Sequence, residues 1–184
     1  MSATVAVQVV DAAGAPLAEA AVFLEPLSGK APALRSRNVE IGQKDRRFTQ
    51  AMTVVQVGQA ISFPNNDAVR HHVYSLSQAK LFELKLYAGV PESPVVFDKP
   101  GVVVIGCNIH DKMVAYIRVV DTPWFAQSDA GGRVRIDGLP DGNYKLRAWH
   151  SGQANLDGVV EQTVQVKGEM PTINLRLDLK AAAR

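Results

Sequence analysis

The chain has 184 residues, 47% of them hydrophobic and 21% charged, and its 20 Lys and Arg nearly balance 18 Asp and Glu for a net charge of +2. This is an ordinary globular composition and excludes disordered, collagen-like and coiled-coil chains. A chain of this length buries roughly 70% of its unfolded surface, enough for one domain or two small ones without covalent staples. The basic residues are scattered, so no electrostatic footprint for nucleic acid is present. A single cysteine, Cys107, excludes an internal disulfide.

No membrane span is expected, because the longest aliphatic run, Val102–Ile105, is far short of the ~18 apolar residues that one needs. The start Met1-Ser2-Ala3-Thr4 carries neither a charged n-region nor a long apolar h-region, so no signal peptide is visible. A cytoplasmic protein and a mature form without its leader both fit that start.

Strand signals run along the chain. Val5, Val7 and Val9 alternate with small or polar residues before the turn Asp11-Ala-Ala-Gly14, and Ala21–Leu24 is a second apolar run. Leu27–Arg37 has no pattern and reads as a break. Val54, Val55 and Val57 precede Gly58, and Ile61 and Phe63 follow in alternation. His71–Ser75 suits a pleated surface, and Phe82, Leu84 and Leu86 alternate with Glu83 and Lys85 as in a half-buried strand. Val95–Phe97 and Val102–Ile105 are apolar runs separated by the turn Asp98-Lys99-Pro100-Gly101, and Val114, Tyr116, Arg118 and Val120 close this stretch.

Asp121–Gln127 reads as a second break. Beyond it, Asp129-Ala-Gly-Gly132 is a turn, Val134 and Ile136 make a short strand, and Leu139-Pro-Asp-Gly142 leads into a strand over Tyr144–Trp149. Gln162–Val166 and Ile173–Leu179 supply two more. Helix signals are scarce. Many short strands with turns between them predict an all-β chain of sandwich or barrel architecture. The two breaks set off residues 38–120 as a unit.

The chemistry concentrates in Cys107-Asn108-Ile109-His110-Asp111-Lys112-Met113, where cysteine, histidine and methionine stand three residues apart. Upstream, His71 and His72 open a strand after the turn Pro64-Asn65-Asn66-Asp67. A thiolate, two imidazoles and a thioether are the donors of a His₂Cys copper site with a long axial Met. Copper needs soft sulfur for Cu(I) and imidazole for Cu(II), which explains why these residue types belong together. Each residue alone has a plainer reading: Cys107 and Met113 as core filler, His110 as a surface loop residue, His71 and His72 as one inward and one outward strand residue. Their concentration in two turn-associated segments favours the joint reading. Zinc would leave Met113 idle, so copper is the expected metal. Alternation leaves open whether His71 or His72 faces inward.

These motifs resemble those of cupredoxins, the blue copper proteins. Gln56–Asp67 is similar to the strand–turn–strand ahead of that family's first histidine ligand, and His71-His72-Val73 matches its His-Asn-Val, which implies His71 as ligand. Cys107, His110 and Met113 match the Cys-x-x-His-x-x-Met loop of amicyanin, and the sequence is most similar to small cupredoxins of methylamine utilisation. The resemblance implies a Greek-key β-sandwich over 38–120, one type 1 copper held by His71, Cys107, His110 and Met113, a redox partner and a periplasmic location. It also implies a brace between His72, in the place of the family's Asn, and Asn108. Asp111-Lys112 stands where amicyanin has a proline, which implies a more polar partner.

The flanks resemble another family. Val5–Leu17 with Ala21-Val22, and Asp129–Tyr144, are similar to successive hairpins of carboxypeptidase regulatory-like sandwiches. The implied organisation is a cupredoxin over 38–120 inserted into such a sandwich made of 1–37 and 121–184. His150, with no Cys or Met nearby, is expected to be structural or exposed. There is no Gly-x-Ser-x-Gly elbow, no His-Glu-x-x-His helix and no phosphate-binding glycine loop. The expected function is electron transfer without catalysis, with a copper-delivery protein or a structural sandwich as alternatives.

Overall fold

The computed structural model describes residues 2–33 and 37–180. All regular structure in them is β, so the class expected from alternation is the one observed. No helix among them is long and apolar enough to cross a membrane. In chain order the strands are β1 (Ser2–Asp11), β2 (Ala21–Pro26), β3 (Val39–Glu40), β4 (Gln43–Lys44), β5 (Arg47–Phe48), β6 (Met52–Gln56), β7 (Ala60–Ser62), β8 (His71–Ser77) and β9 (Lys80–Tyr87). There follow β10 (Val95–Val96), β11 (Gly101–Cys107), β12 (His110–Val120), β13 (Phe125–Gln127), β14 (Arg133–Pro140), β15 (Gly142–Trp149), β16 (Val160–Val166) and β17 (Ile173–Leu177). They form two compact units, one of Met1–Ala33 with Thr122–Arg184 and one of Leu34–Asp121.

The first unit has a three-stranded sheet, β14-β1-β17, and a four-stranded sheet, β13-β2-β15-β16. The alternation read in β1 has its physical origin here: Ala3, Val5, Val7 and Val9 are buried, and they share one core with Val22, Leu24, Leu146 and Val164 of the second sheet. Full burial of each aliphatic side chain contributes about 1.5–3 kcal/mol, which fixes the strand's facing. The turns at Asp11 and Asp129 use the same chemistry. Asp11 Oδ1 accepts the N–H groups of Ala13 and Ala15, and Asp129 Oδ1 those of Gly131 and Arg133, all at 2.9 Å. Gly132, at φ 73°, closes the second turn, and a Cβ there would lie 2.3 Å from the Val9 carbonyl oxygen. Strand β13 falls in the stretch read as a break; its three residues pair with β2 and are too short to show a period.

The Leu34–Asp121 unit has a five-stranded sheet in the order β6-β12-β11-β8-β9, a small sheet β10-β7-β3, and the hairpin β4-β5. Val103, Ile105, Ala115, Ile117 and Val119 of the large sheet meet Ile61 of β7 and the neighbouring Phe63 and Phe97 in a common core. Short β3, β4 and β5 are invisible in the sequence. The β4-β5 connection is Asp45-Arg46, both at positive φ (52° and 55°), a turn normally signalled by Asn-Gly. Of the Leu27–Arg37 break, residues 34–36 lie outside the described residues.

Two register shifts shape the neighbourhood of His71 and Cys107. Between β8 and β9, Val73 pairs with Leu84 but His71 with Tyr87. That one-residue slip turns Leu86 outward, where it is exposed, and gives its expected inner place to Tyr87. Between β11 and β12, Gly106 pairs with Val114 while Cys107 pairs with His110, so residues 111–113 have no partner on β11.

Candidate metal centre

Strand β11 delivers Cys107 at its end, and a turn of only two residues, Asn108 and Ile109, leads to His110 at the start of β12. Histidine and methionine three apart would face opposite sides of a regular strand. The bulge at 111–113 removes that conflict: His110 approaches Cys107, while Met113 is fully buried in the same apolar cluster as Cys107. Met113 therefore belongs to strand β12 and not to the two-residue turn between Cys107 and His110.

The third element is β8, hydrogen-bonded to β11 with Cys107 opposite Val73. His71, Val73 and Ser75 lie on its buried face, and His72 and Tyr74 are only partly buried. The choice between the two histidines that alternation left open is thus made by packing. His71 is completely buried with its ring 5.1 Å from that of His110. His72 turns away and places Nε2 2.7 Å from Oε1 of Glu83 on β9.

Three donor atoms converge. Cys107 Sγ lies 3.7 Å from Nδ1 of His71 and 3.5 Å from Nδ1 of His110. The donor atoms of the three residues are all within 4.8 Å of one another; Cys107 and His71 are buried and His110 is partly exposed. Metal–sulfur bonds of about 2.3 Å and metal–nitrogen bonds of about 2.0–2.1 Å, at angles of about 109–120°, separate S from N by about 3.5–3.8 Å. The observed distances match. A small cysteine buried as mere core filler has no reason to face two imidazole nitrogens at this spacing, so the donor set fits a soft or borderline metal ion.

Beyond the three donors, one residue was not singled out in the sequence. Asp67, four residues before His71, places Oδ2 2.6 Å from His71 Nε2. A carboxylate only accepts, so Nε2 of His71 is the donor in this contact, and Nδ1 is the nitrogen that faces Cys107. Burial alone would push the Asp67 carboxyl up, but hydrogen bonds from His71 and from the N–H groups of Arg46 and Asp45 outweigh it and hold the group below the usual carboxylate range. The only hint in the sequence is the acid-x-x-x-His spacing.

Tyr87 completes the surroundings. Its hydroxyl donates to the Phe63 carbonyl at 2.6 Å and accepts from Gln43 Nε2. Burial, reinforced by the nearby Cys107, pushes the phenol up to about 12, so it remains neutral.

Two further expectations turn out differently from one another. The side-chain brace between His72 and Asn108 is replaced: Asn108 donates its backbone N–H to the His72 carbonyl at 3.2 Å, while the imidazole goes to Glu83. The β8 and β11–β12 segments are still tied, through the main chain, while Glu83 offers the His72 side chain a charged partner across the β8–β9 ladder. His150 has a structural place in the other unit, donating from Nε2 to the Ala18 carbonyl and accepting the Gly152 N–H at Nδ1.

No family model and no curated protein matches the chain. Among solved structures it is similar to a Cu-containing nitrite reductase from Thermus scotoductus SA-01, with 24% identity over 52% of this chain and 25% of that chain, at a TM-score of 0.43. The chain thus spans about a quarter of the reductase's length. It is also similar to a purple cupredoxin from Nitrosopumilus maritimus, with 19% identity over 45% of this chain and all of that chain, at a TM-score of 0.39. A methionine-to-alanine variant of amicyanin in the Cu(I) state matches with 15% identity over 53% of this chain and 99% of its own, at a TM-score of 0.40.

Proposed function

We propose that the protein is a one-electron carrier that holds a single type 1 copper through His71, Cys107 and His110, with Met113 as the axial donor. The observation that carries this reading is the approach of one thiol to two imidazole Nδ1 atoms at 3.5 and 3.7 Å. The bound ion would supply the Cu(II)/Cu(I) couple, taking one electron from a donor protein and passing it to an acceptor.

The chain's own residues account for the rest. Cys107 and His71 sit in the apolar core of the sheet, which excludes water from the thiolate. The antiparallel ladder between β8 and β11 keeps their spacing fixed, as repeated electron exchange requires. His110 is the one donor residue that is not buried and is the natural point for electrons to enter and leave. The nearby Asp111 and Lys112 are exposed, which suits a polar redox partner. With protein donors in four places no position is left for a substrate, so the protein acts as a carrier and not as an enzyme.

The same reading places the copper unit at 38–120, inserted into a carboxypeptidase regulatory-like sandwich formed by 1–37 and 121–184. The resemblance to cupredoxins of methylamine utilisation supports a periplasmic location and that setting. Residues Asp111 and Lys112 argue for a partner other than one that docks on an apolar rim.

Adding Cu(II) to the metal-free protein and recording the visible spectrum tests the assignment. An intense thiolate-to-copper band is expected, lost in Cys107→Ser and His71→Ala and shifted in Met113→Ala. A colourless protein would overturn the reading. Copper retained through cycles of ascorbate reduction and ferricyanide oxidation supports a carrier of electrons; copper lost to a competing chelator on reduction would favour metal delivery instead.

A further inference from the structure

Asp67 is linked to more than the histidine. Its Oδ1 accepts the Asp45 N–H at 2.6 Å, and its Oδ2 accepts the Arg46 N–H at 2.9 Å together with the His71 Nε2 proton at 2.6 Å. Asp45 and Arg46 form the β4–β5 turn in left-handed backbone conformations that non-glycine residues keep only when their surroundings over-determine them. Here the carboxylate supplies that constraint by collecting both N–H groups. The segment bearing it is pinned in turn: the Asp67 N–H donates to Asn65 Oδ1, and Asn65 Nδ2 donates to the carbonyls of Val69 and Tyr87. An anion with three donors, its side chain 9% exposed, cannot rotate away from the imidazole without breaking the turn.

We propose that Asp67 is a positioning residue for the metal centre: its carboxylate, fixed by the Asp45–Arg46 turn, holds the Nδ1 lone pair of His71 toward Cys107 and strengthens that imidazole as a donor to the oxidised ion. This rests on the copper reading above. An anion hydrogen-bonded to the far nitrogen makes the imidazole more basic, and the added electron density favours Cu(II) over Cu(I). The sheet determines where His71 sits; Asp67 determines which nitrogen it presents and how strongly.

The test compares Asp67→Asn with the double variant Asp45→Asn/Arg46→Gly, which suits the left-handed turn and leaves both N–H donors in place. In metal-free protein, ¹⁵N spectra of His71 should show the Nε2–H tautomer alone in the wild type and a mixture in Asp67→Asn. In copper-loaded protein, Asp67→Asn should weaken the hold on Cu(II) relative to Cu(I) by about tenfold to hundredfold, which raises the midpoint potential by about 59–118 mV. The turn variant should leave both readings at wild-type values. An unchanged tautomer and potential in Asp67→Asn would overturn the proposal. So would a turn variant that shifts the potential as far as Asp67→Asn does, because the effect would then belong to the hairpin. If the wild type takes up no copper, the copper reading falls, and the tautomer in metal-free protein alone upholds or overturns the positioning role.

Discussion

Cys107 and His110 are paired across the β11–β12 hairpin with only Asn108 and Ile109 between them, and Sγ and Nδ1 stand 3.5 Å apart. This contact depends on the turn having two residues. One glycine inserted between Asn108 and Ile109 should break the pairing while leaving the strand content intact. The expected result is loss of the intense visible band with Cu(II), beside an unchanged far-UV circular dichroism spectrum.

Met113 packs in the core and is the proposed axial donor, and two substitutions separate the two roles. Met113 is 1% exposed in the core, so Met113→Ala should cost about 2–5 kcal/mol in chemical denaturation of the metal-free protein. Met113→Leu conserves volume and should cost less than about 1.5 kcal/mol. Both remove the thioether. Equal spectral and potential shifts in the two variants, despite unequal stabilities, would be the signature of an axial donor.

Gly132 tests the other unit. Its φ of 73° and the 2.3 Å approach of a built Cβ to the Val9 carbonyl leave no room for a side chain. The left-handed conformation alone costs a non-glycine residue about 1–3 kcal/mol, and the clash adds to it. Gly132→Ala should therefore lower the denaturation midpoint, measured in urea. Gly14→Ala, at a φ of 82° with nothing within 4 Å, should cost only the conformational part.

His150 predicts the pH dependence of that unit. Burial pushes its imidazole down from 6.5, against smaller raising effects of the Ala18 hydrogen bond and the Glu19 charge. The folded state therefore holds His150 neutral at pH values where the unfolded chain already binds a proton. Stability from this group is complete above pH 6.5 and is lost as the pH falls through the lower folded value. The thermal midpoint of the wild type should fall from pH 7 to 5 more steeply than that of His150→Gln.

Much of the fold was legible because strand alternation is a local property. β1, with Val5, Val7 and Val9 inward, buries the face that its period two announces, whereas β12, read from Val114, Tyr116, Arg118 and Val120, turns the opposite face inward with Ala115, Ile117 and Val119 and leaves Val114 exposed. The two- and three-residue strands β3, β4, β5 and β13 are too short to carry a period. The turn at Asp45-Arg46 lacks glycine because Asp67, more than 20 residues away, supplies its constraint. Leu86 reads as an inner residue and is exposed, since the slip between β8 and β9 is a relation between two strands and leaves no mark in either.

The sequence by itself determined the donor types and their spacing: one thiol, a histidine and a thioether three residues apart, and a pair of histidines opening a strand. Alternation left His71 and His72 equivalent and the family resemblance implied His71; the tertiary structure sets His71 against Cys107, brings Asp67 to its far nitrogen and draws His72 to Glu83. Donor identity is written residue by residue. Facing depends on register, on bulges and on the burial of distant partners, and a one-residue shift between strands exchanges inside for outside without changing a letter of the chain.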